Sequence, residues 1–260
     1  MALFFAAFSG FLGGVTLILG ALLAWFVHVP KGAVASVMAF GAGVLISALA
    51  YELVEEATAD GGLLPTVIGF TGGALLYVGA DWLLSRRGGS TRATAHAPHS
   101  GPARNITQRR AAGSADSNSG TVIAAGALID GIPESIVLGL SVTATGGISL
   151  PIVLAIAISN VPESLSSTSQ LKDSGRTARF VFGLWTGIAL ISTLAAFLGY
   201  LLLRDSPVEL ISLITTVAAG GLLAMVCNTM IPEAFSRERT LTGLWATLGF
   251  LTAFSLHELG

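Results

Sequence analysis

The sequence predicts an all-α integral membrane protein: eight transmembrane helices in a bundle of three, two and three, with the outer triplets forming an inverted repeat. Three observations predict it. Apolar stretches of about 20 residues, the length that crosses roughly 30 Å of hydrocarbon, follow one another along most of the 260-residue chain. Counting eight of them puts almost every basic residue on one side of the bilayer. Two pairs of these stretches also carry matching phrases in opposite orientations. Composition agrees with the class: 53% of residues are hydrophobic and 11% charged, with a mean hydropathy of +0.78, far from a soluble domain.

In chain order the expected spans are Leu3–Val27, Gly32–Glu55, Gly62–Ser85, Gly120–Val142, Ile148–Ser169, Ala178–Leu203, Pro207–Ile231 and Leu241–Leu256. The first has no basic leader and is too long for a signal-peptide core, so it reads as a span that stays. Gly10, Gly13, Gly14 and Gly20 in the first span, and Gly69, Gly72 and Gly73 in the third, suit close helix packing. The last span is the shortest. The one long loop, residues 86–119, is rich in Gly, Ser, Ala and Arg without an apolar period, and reads as a flexible linker. The chain thus divides into helices one to three (1–85), a basic cytoplasmic loop (86–119), a central pair (120–169) and helices six to eight (170–260).

Charge sets the expected orientation. Lys31 lies in the first loop, and Arg86, Arg87, Arg92, Arg104, Arg109 and Arg110 in the third. Lys172, Arg176 and Arg179 lie in the fifth, and Arg237 and Arg239 in the seventh. With eight spans all of these share one side, and of 13 Lys plus Arg only Arg204 falls on the other. The positive-inside rule makes that side cytoplasmic, so both termini are expected outside a plasma membrane. Dropping one span would scramble the split.

The fourth and fifth spans repeat a phrase: Leu128-Ile-Asp-Gly-Ile-Pro-Glu-Ser against Ala157-Ile-Ser-Asn-Val-Pro-Glu-Ser. Being consecutive, the two copies run in opposite directions. A weaker match joins Gly43 to Ala57 of the second span with Gly220 to Ala234 of the seventh, also in opposition. Inverted repeats with polar residues at the midplane are a transporter signature.

The central pair carries the chemistry. A charged residue at mid-bilayer costs about 2.5–3.5 kcal/mol on insertion scales, and such residues are functional by default. Asp130 and Glu134 are four apart and share a helix face; Ser159 and Glu163 repeat the spacing, with Asn160 beside them. Pro133 and Pro162 cannot donate to the carbonyls of Ile129 and Ile158, which must find partners or line a wet cavity. Clustered carboxylates repel, and a bound cation relieves them. Oxygen ligands suit Mg, Ca or Mn, and accept Fe(II) or Zn. The single cysteine, Cys227, excludes a disulfide framework and a CxxC metal site.

The two phrases resemble the divalent-metal motif of the ZIP (Zrt/Irt-like) family, commonly His-Asn-x-Pro-Glu-Gly. Eight spans, a long cytoplasmic loop after the third, and the three-two-three plan are also similar to that family. So is Ala219-Gly-Gly-Leu-Leu-Ala…Ile-Pro-Glu-Ala, set against its common "AAGAMLY…LIPEA" pattern. By that resemblance Glu134 and Glu163 would be bridging metal carboxylates, and Asn160 would match the Asn/Asp position of helix five. The chain departs from the pattern where Asp130 replaces His, Gly131 replaces Asn and Ser159 replaces His. It departs again where Ser192-Thr193 stands for a Glu-Pro pair and Asn228 for Glu. Imidazole is absent from the site, which leaves an all-oxygen set.

The expected metal residues are therefore Asp130, Glu134, Ser159, Asn160 and Glu163, supported by Pro133, Pro162, Ser192 and Asn228. His96 and His99 in the basic loop are candidates for weak metal binding, against plain solvation. Glu52, Glu55, Glu56 and Asp60 at the outer end of span two would draw cations in or simply be solvated. Glu233 would line an inner exit; His257 and Glu258 read as polar tail, and Met225 and Cys227 as packing. The expected function is transport of divalent cations (Zn, Fe or Mn type) into the cytoplasm, with the metal ion as substrate and no prosthetic group. The expected partners are the cation and the lipid bilayer, with no nucleic acid and with room for a homodimer. The chain is not expected to be an enzyme: no GxxxxGK[ST], HExxH or Ser–His pairing occurs. A metal sensor or scaffold of the same fold, and a carboxylate-based intramembrane enzyme, are the alternatives.

Overall fold

The computed structural model describes residues 1–87, 119–237 and 240–259. Among these residues the chain forms helices and no strand, and seven of the helices are long and apolar enough to cross a membrane. They are α1 (Ala2–Phe26), α2 (Lys31–Gly61), α3 (Leu63–Arg87), α4 (Ser119–Thr145), α5 (Leu150–Asp173), α6 (Ala178–Leu203) and α7 (Val208–Met225, continuing to Arg237). An eighth helix, α8 (Thr242–Leu259, 18 residues), falls outside that set and packs along α2. His96 and His99 lie outside the described residues.

Local chemistry explains the boundaries. Pro30 and Pro207 sit at the N-caps of α2 and α7, where a missing N–H costs nothing. The Thr177 side chain caps α6 by accepting from the Phe180 N–H. After α5, Gly175 takes φ 78°; its N–H donates to the Lys172 carbonyl, and the Arg176 N–H to that of Leu171, a Schellman stop.

Two helices run furthest past their expected ends, α2 to Gly61 and α7 to Arg237. α2 was expected to stop at Glu55, where polar residues begin, yet its backbone stays helical until Gly62 takes φ 87°. α7 continues through Pro232 to Arg237. Both change pitch on the way, through a π-helical turn at Leu49–Glu55 in α2 and at Val226–Met230 in α7. In α7 the turn directly precedes Pro232, so the ladder is already interrupted where that proline cannot donate.

Directions alternate from helix to helix. α1 runs antiparallel to α6, with Gly10 against Ala196 and Gly14 against Ala189. It runs parallel to α5, and at their shared end Lys172 Nζ donates to the Trp25 carbonyl at 2.8 Å. α3 runs parallel to α7, with Gly69 against Leu213 and Gly73 against Val217. One apolar core joins α2, α4, α5 and α7 through Leu45, Leu138, Ile156 and Leu222. A second joins α1, α5 and α6 around the fully buried Trp185, whose Nε1–H donates to Thr168 Oγ1 at 2.8 Å. Large apolar side chains such as Phe11, Leu75, Leu76, Leu190, Leu194 and Leu251 point outward. A water-soluble fold would bury these; a bilayer solvates them.

Candidate metal centre

The twin phrases adopt the same local geometry. The Ser135 hydroxyl donates to the Gly131 carbonyl at 2.6 Å, and the Ser164 hydroxyl to the Asn160 carbonyl at 2.8 Å. Each serine sits two residues after its proline and bonds one turn back, an arrangement that bends helices. Both prolines lie inside continuous helices, Pro133 in α4 and Pro162 in α5.

Between the bends lies a cavity of about 10 Å³ lined by α1, α4, α5 and α6, about the smallest space that holds one water or one bare ion. Its polar lining is Glu134, Ser135, Asn160 and Ser192. Glu134 and Asn160 are each 3% exposed. The Asn160 amide donates from Nδ2 to the Gly13 carbonyl at 3.0 Å. Only the nitrogen can donate to a carbonyl, so this bond turns Oδ1 the other way. Asn160 Oδ1 and Glu134 Oε1 are both buried and have no hydrogen-bond partner. Two residues that line one ion-sized space thus each carry a buried acceptor oxygen without a donor.

Glu134 lies within electrostatic reach of Glu163 and Asp130, and no Lys or Arg is buried among the described residues. A cation bound in the cavity would offset the repulsion among these acids.

The other expected ligands are placed differently. Asp130, 4% exposed, does not line the cavity; its Oδ1 accepts from the Tyr77 hydroxyl of α3 at 3.0 Å. Ser159 is buried against α2, its Cα 3.2 Å from where a Gly41 Cβ would stand, and its hydroxyl donates back to the Ile156 carbonyl. Glu163 is half-buried and does not line the cavity. Asn228 sits in the π-helical turn of α7, away from it. Ser192, expected only as support, does line it.

Several contacts around the site escaped the sequence reading. Gly13 supplies a backbone acceptor, and Gly10, Gly13 and Gly14 form a cavity wall rather than packing surface alone. Tyr77 and Thr229 form a polar contact at 3.3 Å beside Asp130. Toward the C-terminal ends of α5 and α7, Ser166 donates to Glu233 Oε1, and Gln170 Nε2 reaches Ser166 at 3.4 Å. Met225 is buried in the core and Cys227 is exposed.

The C-terminal end of α2 departs from expectation. His257 was read as polar tail, yet its Nδ1 lies 2.8 Å from Glu52 Oε1, and its ring packs 5.6 Å from that of Tyr51. Glu52 lies within the π-helical turn of α2. Replacing His257 with Ala removes both contacts and is expected to cost roughly 0.5–1 kcal/mol, read as a melting point about 2 °C lower in detergent. An unchanged melting point would show the pair to be incidental. No protein-family profile and no curated protein matches this chain.

Proposed function

We propose that this chain is a secondary transporter of divalent metal cations that carries them into the cytoplasm through the cavity between α1, α4, α5 and α6. The observation that carries the reading is the pair of unpartnered buried oxygens, Glu134 Oε1 and Asn160 Oδ1, on two residues that line one ion-sized space. A divalent cation serves both and offsets the acids around it. Glu134 and Asn160 are the primary ligands, with Ser192 and Ser135 completing an oxygen shell and Glu163 adding charge. Such a shell accepts Mn, Fe(II) or Zn. The ion is substrate.

Further features support the eight-span, three-two-three plan and the likeness to the ZIP family. The sequence match of Gly43–Ala57 with Gly220–Ala234 sets Leu49 against Val226, and a π-helical turn begins at each. On this plan the basic loops are cytoplasmic, the Glu52–His257 pair lies at the opposite end, and both termini are extracytoplasmic. In this reading α8 is the eighth span and the plasma membrane the location.

The test is uptake by proteoliposomes offered Zn, Mn, Fe(II), Co and Cd in turn, beside a Glu134→Ala/Glu163→Ala double variant. At least one cation is expected to enter well above the variant. A protein that binds metal but moves none would be a sensor or scaffold of this fold. One that neither binds nor moves any would refute the metal reading altogether.

A further inference from the structure

The centre is tied to α3 and α7 by one buried hydroxyl. The Tyr77 ring is 5% exposed. Its hydroxyl donates to Asp130 Oδ1 at 3.0 Å and lies 3.3 Å from Thr229 Oγ1 in the π-helical turn of α7. Asp130 lies one turn before Glu134 on the same face of α4, near enough for their charges to interact, yet outside the cavity lining.

We propose that the Tyr77 hydroxyl is a two-position donor: it holds Asp130 away from the cavity in the metal-free protein, and turns to Thr229 when Asp130 joins a bound divalent cation. The proposal rests on the transport reading above. A phenol has one proton and serves one acceptor at a time. With that proton on Asp130, the Thr229 hydroxyl can donate to the phenol oxygen. With Asp130 turned to the metal, the phenol donates to Thr229 instead. Tyr77 keeps a partner either way, so both arrangements are satisfied and the element is bistable. Tyr77 is thus a positioning residue that makes cation binding compete with a contact between α4 and the α3–α7 pair.

The signs follow from linkage: a contact present only without the ligand weakens binding, and one present only with it strengthens binding. Tyr77→Phe is expected to tighten the cation about tenfold, the worth of a hydrogen bond to a charged group. Thr229→Val removes the second resting place and is expected to weaken it by a smaller factor. In an Asp130→Asn background the gain from Tyr77→Phe is expected to vanish. The experiment is calorimetric titration of purified full-length protein with Mn²⁺ and, in parallel, Zn²⁺, for these variants and the Tyr77→Phe/Asp130→Asn double variant. Melting points in chelator check that Tyr77→Phe and Asp130→Asn are non-additive without metal. Opposite signs for Tyr77→Phe and Thr229→Val, with the gain lost in the double variant, support the proposal. Wild-type binding that Tyr77→Phe leaves unchanged or weakens, or a gain that survives without Asp130, overturns it and leaves the transport reading standing. A wild type that binds neither metal overturns both.

Discussion

Glu134→Gln is expected to abolish cation uptake, by roughly 100-fold or more, without loss of the folded protein. The replacement keeps the volume and one acceptor oxygen, but removes the charge and puts an amide where Oε1 or Oε2 stood. Glu134 lines the cavity, and its Oε1 is buried and unpartnered. A neutral side chain there also relieves repulsion among Glu134, Glu163 and Asp130, so the variant is expected to melt no lower than wild type in chelator, and to lose the stabilisation that added metal confers on wild type. Uptake close to wild type would remove Glu134 from the site. Uptake lost together with the fold, in both Glu134→Gln and Glu134→Ala, would make it a structural residue.

The second large effect concerns the crossing of α3 and α7. A Cβ on Gly73 would overlap the Val217 carbonyl, and a Cβ on Gly220 would overlap that of Phe70. Each helix gives up a side chain where the other presents backbone, which membrane helices use to approach closely. Backbone cannot rotate away as a side-chain tip can. Gly73→Ala and Gly220→Ala are therefore each expected to destabilise by about 1–3 kcal/mol or more, as overpacking does, and to lower the melting point by roughly 5 °C or more. Gly79, on the same helix as Gly73, has nothing within 4 Å of its missing Cβ. Gly79→Ala is expected to be neutral or mildly stabilising, because Ala is the better helix former. Equal melting points for all three variants would contradict the packing described. Because Tyr77 follows Gly73 on α3, the first two substitutions should also disturb its contact with Thr229.

How much of this was legible in the sequence follows from what each signal is made of. Helix positions were, because about 20 apolar residues have few other uses, and Thr177, Pro30 and Pro207 punctuate the backbone through their own chemistry. α6 matched its expected bounds residue for residue. The end of α2 did not: apolarity fades at Glu52, whereas the backbone stops only where Gly62 adopts a left-handed φ. The π-helical turns left no residue-type signature. Glu52, within the first of them, meets His257, about 200 residues away in sequence, which no local pattern encodes.

The site was legible in its acids and amide, since a carboxylate inside an apolar stretch is costly enough to need a reason. Spacing alone put Asp130 and Ser159 on a shared face with the ligands. It could not say that Tyr77 takes the first and that Gly41 packs against the second. The Gly13 carbonyl was invisible because every residue has one; only the approach of α1, permitted by glycine, gives it a role. Ser192 lines the cavity, whereas Asp130 accepts from Tyr77 across two helices.

The most direct measurement is anomalous X-ray scattering from crystals grown with Mn²⁺, collected on wild type and Glu134→Gln. A cation bound as described gives an anomalous peak about 2.0–2.4 Å from both Glu134 Oε1 and Asn160 Oδ1, absent in the variant. Ordinary density with no anomalous signal between those two oxygens, while Mn²⁺ is bound elsewhere or nowhere, would mean that water fills the cavity and that the cation site is not there.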